Sequence, residues 1–376
     1  MHSALCERLG CEVPIFAFSH CRDVVVEVTK AGGFGMLGAS TFGPELLEQE
    51  LNWIDRHVDG RPYGVDVLIP TTYDKDAEAA GLGGNPRDLI PTGHRDFMDS
   101  LLSQAGVPAL PPDEQARVVR EISEGRGNMT PDGARRLLAV ALRHDQVKLV
   151  VSALGAPPPD VVAMLRAAGV MIGALCGKPS HALRQREAGV DLIVAQGTEA
   201  GGHTGSIATF VLVPDVVEAC PGMPVLAAGG ITRGSQIAAA LAMGAEGVWC
   251  GTLWLGTRES ELTPFEKEVL FQARPEDAVR SKVRTGKPVR MVRSRMSEAW
   301  DAAGAPAYLP TPLQGILYNE TQARVVRAQR KDLYSCPAGQ SVGALKAETS
   351  VRDEMLRLQT EYLDAMDRLS RLNPEP

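Results

Sequence analysis

The chain has 376 residues, of which 44% are hydrophobic and 23% charged, and its formal net charge is −7. This length can bury a full core, and it exceeds a minimal α/β barrel of roughly 250 residues by about a hundred. The negative net charge argues against a nucleic-acid binder, because neutralising phosphates requires a basic surface.

The seven cysteines and seven histidines are dispersed along the chain. They form no CxxC pair and no HExxH motif, so we expect reduced thiols and no metal site. The first residues lack the basic start and apolar run of a signal peptide. No apolar stretch approaches the roughly 20 residues that span a bilayer. We therefore expect a soluble, cytoplasmic protein.

Strand and helix signals alternate along most of the chain. The predicted strands begin near residues 13, 34, 63, 148, 170, 190, 224 and 246, and helices are predicted at 23–31, 44–57, 131–144, 160–168, 180–188 and 237–243. Several helices end in Ala-Gly, as at Ala31-Gly32, Ala168-Gly169 and Ala188-Gly189, which is typical of a glycine cap before a strand. This alternation predicts parallel βαβ units, and eight of them close into a (β/α)8 TIM barrel of the α/β class.

Two segments depart from this rhythm. Residues 71–130 are rich in Pro, Gly and Asp, with helical pieces such as 114–122, and a connection of this length after the third strand is most often a lid over a site. After Leu255 the pattern becomes helical and irregular, with helices predicted at 265–273, 322–330 and 350–369. The last carries an apolar stripe that favours packing against the barrel or a partner subunit. We therefore predict a barrel over 1–255 and a helical C-terminal region over 256–376.

The segment Gly33-Phe34-Gly35-Met36-Leu37-Gly38 matches the pattern GxGxxG. A dinucleotide fingerprint needs a strand before the motif and a helix opening at its end. Here a helix precedes the motif, and the motif itself contains the strand. The match therefore does not indicate a nucleotide site.

The stretch from Asp191 to Phe210, DLIVAQGTEAGGHTGSIATF, begins as a buried strand and breaks into a glycine-dense loop that holds one histidine, His203. An isolated loop histidine is commonly a surface residue, but catalytic groups gather at the carboxyl ends of barrel strands. The ordinary pKa of histidine near 6.5 suits proton abstraction at neutral pH. We therefore favour His203 as a general base. Gln196, at the end of the same strand, offers a donor and acceptors to the edge of a heterocycle.

The next two strands end in small residues, Gly229-Gly230 and Gly251-Thr252. In such barrels the loops after the seventh and eighth strands commonly hold a phosphate. Glycines let a phosphate approach main-chain N–H groups, and the Thr252 hydroxyl adds a donor. We predict that Ser235 caps the following helix and that the exposed amides of this helix add positive potential. The alternative is that these glycines only make tight turns.

The segments VAQGTEAGGHTG, PVLAAGGI and GVWCGT resemble the nitronate monooxygenase (2-nitropropane dioxygenase) family of FMN-dependent barrels, and the early AGGFGMLGAS also fits. The resemblance implies that Gln196 and Gly201 contact FMN and that Gly229, Gly230, Gly251 and Thr252 hold its phosphate. It implies that His203 removes the proton next to the nitro group, and that Ala17 and Phe18 lie against the isoalloxazine.

The chain departs from the family pattern on its first and third strands. The first strand carries Ala17-Phe18-Ser19 where the family commonly has Ala-Pro-Met. Asp66 stands on the third strand where the family usually has asparagine, and a carboxylate there would repel a reduced flavin unless it is protonated or paired. Lys178, after the fifth strand, either supplies compensating charge near the flavin or is solvated.

The first functional hypothesis is an FMN-dependent oxidoreductase that converts alkyl nitronates and O2 to a carbonyl compound and nitrite. The second keeps FMN but uses NAD(P)H to reduce an enoyl or cyclic acyl-CoA thioester or a quinone, with Arg290, Arg293 and Arg295 meeting CoA phosphates. A third is a scaffold without cofactor, which the intact Gln196, His203 and glycine turns disfavour. The partners are a small-molecule substrate and O2, with NAD(P)H as an alternative and a homodimer as a further expectation.

Overall fold

The computed structural model describes residues 1–69, 86–128 and 130–372. Eight parallel strands form a closed barrel in chain order, β1 (Ile15–Ser19), β2 (Phe34–Gly38), β3 (Tyr63–Val67), β4 (Val147–Ser152), β5 (Met171–Cys176), β6 (Leu192–Gln196), β7 (Val225–Ala228) and β8 (Gly247–Cys250). The barrel closes where Ala17 of β1 pairs with Cys250 of β8. The predicted TIM barrel is confirmed.

The helices of the barrel and its flanking regions alternate with or follow the strands. They are α1 (Ala4–Leu9), α2 (Arg22–Lys30), α3 (Pro44–His57), α4 (Thr92–Gln104), α5 (Pro112–Asn128), α6 (Pro131–Ala141), α7 (Pro159–Ala167), α8 (Pro179–Glu187), α9 (Thr209–Ala219), α10 (Gly234–Ala242), α11 (Pro264–Gln272), α12 (Arg295–Asp301), α13 (Leu313–Arg327) and α14 (Val351–Ser370). Gly32, Gly169 and Gly189, predicted to end helices, all adopt positive φ. Glycine suits such turns because it has no Cβ to clash with the backbone.

Side chains alternate between the inside and the outside of the barrel, as the pleat of a strand requires. The inner layer is a separate apolar cluster that contains Phe16, Phe34, Met36, Leu149, Val151, Leu192, Val194, Leu226 and Trp249. Leu5, Cys6 and Leu9 of α1 belong to the same cluster. The Leu5 N–H donates to Glu246, directly before β8, at 2.9 Å. Helix α1 therefore closes the amino-terminal end of the barrel and leaves the opposite end for a site.

The apparent GxGxxG motif contains β2 and follows α2, as its sequence context indicates. The main chain of this segment pairs with β1 and β3 on both sides. An added Cβ at Gly35 would lie 2.4 Å from the Val25 carbonyl oxygen. Close packing of helix on strand explains this glycine.

Part of the predicted lid, residues 71–85 and 129, lies outside the described residues. Its helices α4 and α5 contact the C-terminal region. The indole N–H of Trp300 donates to the Met98 sulfur at 3.0 Å, and the Arg324 guanidinium donates to the Pro108 carbonyl at 3.1 Å. The insertion is therefore joined to the region after the barrel, and its role as a lid stays a prediction.

The C-terminal region is not purely helical. A two-stranded antiparallel sheet of β9 (Ala278–Ser281) and β10 (Val289–Val292) lies between α11 and α12. The sequence predicted no strands here, because four-residue strands are too short to give a clear alternation. Helix α14 packs against α10 and α2 with its buried stripe of Val351, Met355 and Leu358. Within the described ranges, no helix is both long and apolar enough to cross a bilayer.

Candidate active site

The carboxyl ends of the strands meet at one mouth. By alternation from the inner layer, Phe18, Asp66 and Gln196 point inward at this end. The Phe18 ring stacks near Trp249, with 6.1 Å between centroids, and meets His20 edge-on at 5.2 Å. These side chains form the floor of the mouth. Ala17, in contrast, belongs to the outer core, so only its main chain could meet a cofactor.

Asp66 is almost fully buried, with 5% of its surface exposed. Burial raises its pKa to about 7, because the charged form is poorly solvated there. A substantial share of this carboxyl is therefore protonated at neutral pH. The protonated form removes the repulsion expected between a carboxylate and a reduced flavin, and it can donate a hydrogen bond as asparagine would.

The corners after β7 and β8 lie side by side, because Ala228 pairs with Trp249. The main-chain N–H groups of Gly229, Gly230, Gly251 and Thr252 have no protein acceptor within the described part of the chain. The Thr252 hydroxyl accepts from the Gly339 N–H at 2.9 Å, which leaves its own hydrogen free to donate. Such a set of donors fits an anion such as a phosphate.

The positive φ of 108° at Gly229 and 75° at Gly230 turns these two residues at the end of β7. An added Cβ at Gly229 would lie 2.8 Å from the Thr209 hydroxyl and 3.2 Å from the Ala200 nitrogen. A side chain would therefore clash with Thr209 and with the loop after β6, so packing within the protein explains Gly229, and its contact with a phosphate stays a prediction.

The prediction for the N-terminus of α10 is wrong. Arg233, not Ser235, occupies the cap position, and Gln236 accepts from the Thr232 and Arg233 N–H groups at 2.8 and 3.1 Å. The Gly234 N–H donates to Glu361 of α14 at 2.8 Å. Gln236 of α10 itself occupies the first two amides, and α14, which packs against Gly234, occupies the third. The predicted anion site is therefore left with the two corners.

The loop after β6 is tied to both neighbours. The Glu199 carboxylate accepts from the N–H and the hydroxyl of Thr209, at 2.9 and 2.8 Å, and so caps α9. An added Cβ at Gly201 would lie 2.9 Å from the Ala338 carbonyl carbon and the Gly339 nitrogen. Packing of the C-terminal segment thus explains Gly201, and its predicted contact with FMN stays a prediction.

Arg290 clamps the same loop. Its main chain forms a bridge with Gly202, with N–H to carbonyl distances of 3.0 and 2.8 Å. Its guanidinium donates to the Thr198 carbonyl at 2.6 Å and to the Ala278 carbonyl at 2.5 Å. Only 8% of Arg290 is exposed.

The second functional hypothesis placed Arg290, Arg293 and Arg295 against CoA phosphates, but the guanidinium of Arg290 is already bound to two carbonyls. Arg293 donates to the Glu276 carbonyl at 3.1 Å and Arg295 pairs with Asp332 at 2.9 Å. Each of the three guanidinium groups therefore has a protein acceptor. The cluster gives no support to a site for CoA phosphates.

His203 lies on the open side of the clamped loop, and its Nδ1 is 3.1 Å from the Pro288 carbonyl. A carbonyl can only accept, so Nδ1 carries the hydrogen and Nε2 keeps its lone pair. His203 is exposed to solvent. Desolvation by the surrounding residues lowers its pKa, the Pro288 hydrogen bond opposes this shift, and the charges of Lys287 and Arg284 lower the pKa further. His203 is therefore neutral at pH 7 and can accept a proton.

His20, after β1, has the same kind of Nδ1 partner and the same direction of pKa shift as His203. Its Nδ1 lies 2.9 Å from the Gly38 carbonyl, and burial lowers its pKa. Lys178 occupies the cap position of α8, and within the described ranges its amine contacts no acceptor. Both of its predicted roles stay open. No three His, Cys, Asp or Glu side chains among the described residues are grouped as a metal ion would need.

Comparison with known proteins decides the family. The sequence profile described as "Nitronate monooxygenase" matches residues 18–360. The chain belongs to the nitronate monooxygenase family. "Putative monooxygenase Rv1533" of Mycobacterium tuberculosis is 49% identical over 379 residues, covering 99% of both chains. A "Probable nitronate monooxygenase" of Staphylococcus aureus is 26% identical, covering 90% of this chain and 91% of the relative.

Among solved structures, the chain is similar to nitroalkane oxidase from Streptomyces ansochromogenes, with a TM-score of 0.77 and 28% identity. The similarity covers 98% of this chain and 100% of the other. Membership of the nitronate monooxygenase family makes the protein an oxidoreductase with a flavin cofactor, acting on a small molecule with oxygen. The donors and glycine corners described above fit such a cofactor.

Sequence reasoning missed Glu199, Arg284 and Gly339, and it assigned Arg290 to CoA phosphates instead of to the loop after β6. All four act through partners far along the chain or on another element, so no local pattern identifies them. Arg290 had one signal, its place in a basic cluster, but a basic cluster does not distinguish a buried arginine from an exposed one.

Proposed function

We propose that the protein is an FMN-dependent nitronate monooxygenase that oxidises alkyl nitronates with O2 to a carbonyl compound and nitrite. The observation that supports this proposal is a neutral histidine, His203, whose Nδ1 is bound to the Pro288 carbonyl and whose Nε2 contacts no partner within the described ranges. A neutral imidazole at this end of the barrel suits removal of the acidic proton next to a nitro group.

Different residues of the chain would bind the cofactor and transfer the proton. Gly229, Gly230, Gly251 and Thr252 would hold the phosphate of FMN through N–H groups and one hydroxyl. Phe18, Gln196 and the main chain of Ala17 would face the ring system from below, with protonated Asp66 donating toward it. The bound flavin supplies the electron transfer to oxygen. His203 would take the proton from a neutral nitroalkane or orient a nitronate already formed.

The test is one purified sample assayed in two ways. With propane-2-nitronate we expect oxygen uptake and nitrite release, and the released cofactor should have the mass of FMN. Rapid anaerobic bleaching of the flavin by NAD(P)H, without nitrite formation from the nitronate, would instead support the reductase. Absence of any flavin would support the scaffold.

Two further expectations belong to this proposal. The cytoplasmic location stays a prediction from the sequence. The homodimer also stays a prediction, and light scattering of the purified protein would test it.

A further inference from the structure

One cation near the mouth has no assigned role. Arg284 lies between β9 and β10, and its guanidinium carbon is 5.4 Å from the centroid of the Tyr318 ring. Tyr318 is buried, and its hydroxyl donates to the Ser335 carbonyl at 3.0 Å, which fixes the ring below the guanidinium. Arg284 is partly buried, yet it forms no ion pair with any Asp or Glu among the described residues.

Arg284 lies in the connection between β9 and β10 that also contains Pro288, whose carbonyl is 3.1 Å from the His203 Nδ1. Arg284 therefore belongs to the segment that contacts the candidate base. In agreement with this position, its charge lowers the pKa of His203 and that of His20. Lys287 adds positive charge near His203, while Glu261 adds negative charge near His20.

The described partner of the Arg284 guanidinium is the neutral Tyr318 side chain, so an anionic ligand would supply the negative charge that this partner lacks. The other cations nearby are less suited to this task. The Arg290 guanidinium already donates hydrogen bonds to the Thr198 and Ala278 carbonyls. Lys287 is exposed, so water screens its charge.

We propose that Arg284 binds the two oxygens of the substrate's nitro group in its anionic nitronate form, at the mouth beside His203. This inference rests on the proposed function and adds a substrate-binding residue to it. A nitronate is planar and spreads its charge over two oxygens, as a carboxylate does, and the guanidinium fork matches this shape with two parallel N–H···O bonds. The same charge would stabilise the anion as His203 takes the proton.

The experiment compares Arg284→Met and Arg284→Lys with the matched control Arg293→Met, which removes an exposed guanidinium that has one carbonyl partner. Arg284→Met should raise the KM for propane-2-nitronate roughly 10- to 100-fold, the range for a lost charged hydrogen bond, with unchanged flavin content. Arg284→Lys should lie between, because it keeps the charge and loses the fork. The control should match the wild type.

Two readouts separate a binding role from a structural one. The pKa of His203, followed by NMR in the flavin-loaded protein, should rise in Arg284→Met because a cationic neighbour is lost, and should stay unchanged in Arg284→Lys. Acetate, a planar two-oxygen anion, should perturb the flavin spectrum of the wild type and do so far more weakly in Arg284→Met.

The outcomes distinguish the two proposals. Nitronate oxidation with an unchanged KM in Arg284→Met would overturn the role of Arg284 and leave the proposed function intact. A wild type inactive on nitronates that still binds acetate through Arg284 would reject the function and retain an anion site. If Arg284→Met loses its flavin, the KM of Arg284→Lys becomes the test. A wild-type KM in Arg284→Lys would overturn the proposal that the guanidinium binds both nitronate oxygens.

Discussion

The corners after β7 and β8 and the loop after β6 lie at the same end of the barrel and are equally rich in glycine, yet different contacts hold them. The corner after β7 turns through its own backbone, as the positive φ of Gly229 and Gly230 shows, and the corner after β8 has one distant contact, from the Gly339 N–H to the Thr252 hydroxyl. The loop takes its shape from residues far along the chain, chiefly Arg290 and Gly339. A cofactor site can thus be encoded locally, while the position of a candidate base depends on the C-terminal region.

The largest effect on flavin binding should come from a substitution in the corner after β7. Gly230→Val should prevent flavin retention, because the residue has a φ of 75° and its new Cβ would lie 3.3 Å from the Glu199 Cβ. The flavin-to-protein absorbance ratio measures this loss. Gly222→Val is the matched control, since Gly222 has a φ of 77° and no described atom within 4 Å of an added Cβ. A fully loaded Gly230→Val protein would refute the phosphate assignment.

On the remotely held side, His203→Asn should retain flavin and lower turnover of a neutral nitroalkane by roughly 10²–10⁴-fold, the range for loss of a general base. Turnover of the preformed nitronate should fall much less, because no proton has to be removed. His57→Asn is a suitable control, because the Nδ1 of His57 also contacts a carbonyl, that of Trp53, at 2.6 Å. Equal turnover by His203→Asn and the wild type would remove His203 from the mechanism.

A smaller effect on activity should follow from removing the Arg290 side chain, which holds the loop after β6. Arg290→Met leaves the Thr198 and Ala278 carbonyls without their donor, so the free energy of unfolding should fall by about 2–3 kcal/mol. Misplacement of the loop should lower kcat about 10-fold or somewhat more, with flavin retained. Urea unfolding and steady-state kinetics measure both, and Arg295→Met, which loses an exposed ion pair, is the control. If flavin and kcat are lost in parallel, the two sides are not held independently.

The smallest effect on activity should come from Asp66→Asn, whose consequence is a change in pH dependence. An acid whose folded pKa is raised binds more protons in the folded state, so wild-type stability falls as pH rises from the unfolded pKa near 4 to the folded pKa of about 7. Between pH 5 and pH 8 this fall should be about 3 kcal/mol. Asn cannot ionise, so Asp66→Asn should lose this part of the slope. Urea unfolding at both pH values measures it, and identical slopes would show that Asp66 is not desolvated.

The amino-acid sequence determined the barrel and the location of its candidate site. Alternating strands and helices specify parallel units, and the carboxyl ends of such strands must share one edge, so the loops holding His203, Gly230 and Thr252 had to meet. These features depend on local patterns that a single stretch of chain displays.

Tertiary structure decided which of these groups are free to act. The amides of α10 looked available, but Glu361, 127 positions away, occupies one of them. Arg290 was predicted to meet CoA phosphates, but it is buried and its guanidinium binds the Thr198 carbonyl, 92 positions away. The raised pKa of Asp66 likewise depends on the whole barrel around it. Desolvation and hydrogen-bond satisfaction arise from neighbours in space, and the local sequence pattern does not specify those neighbours.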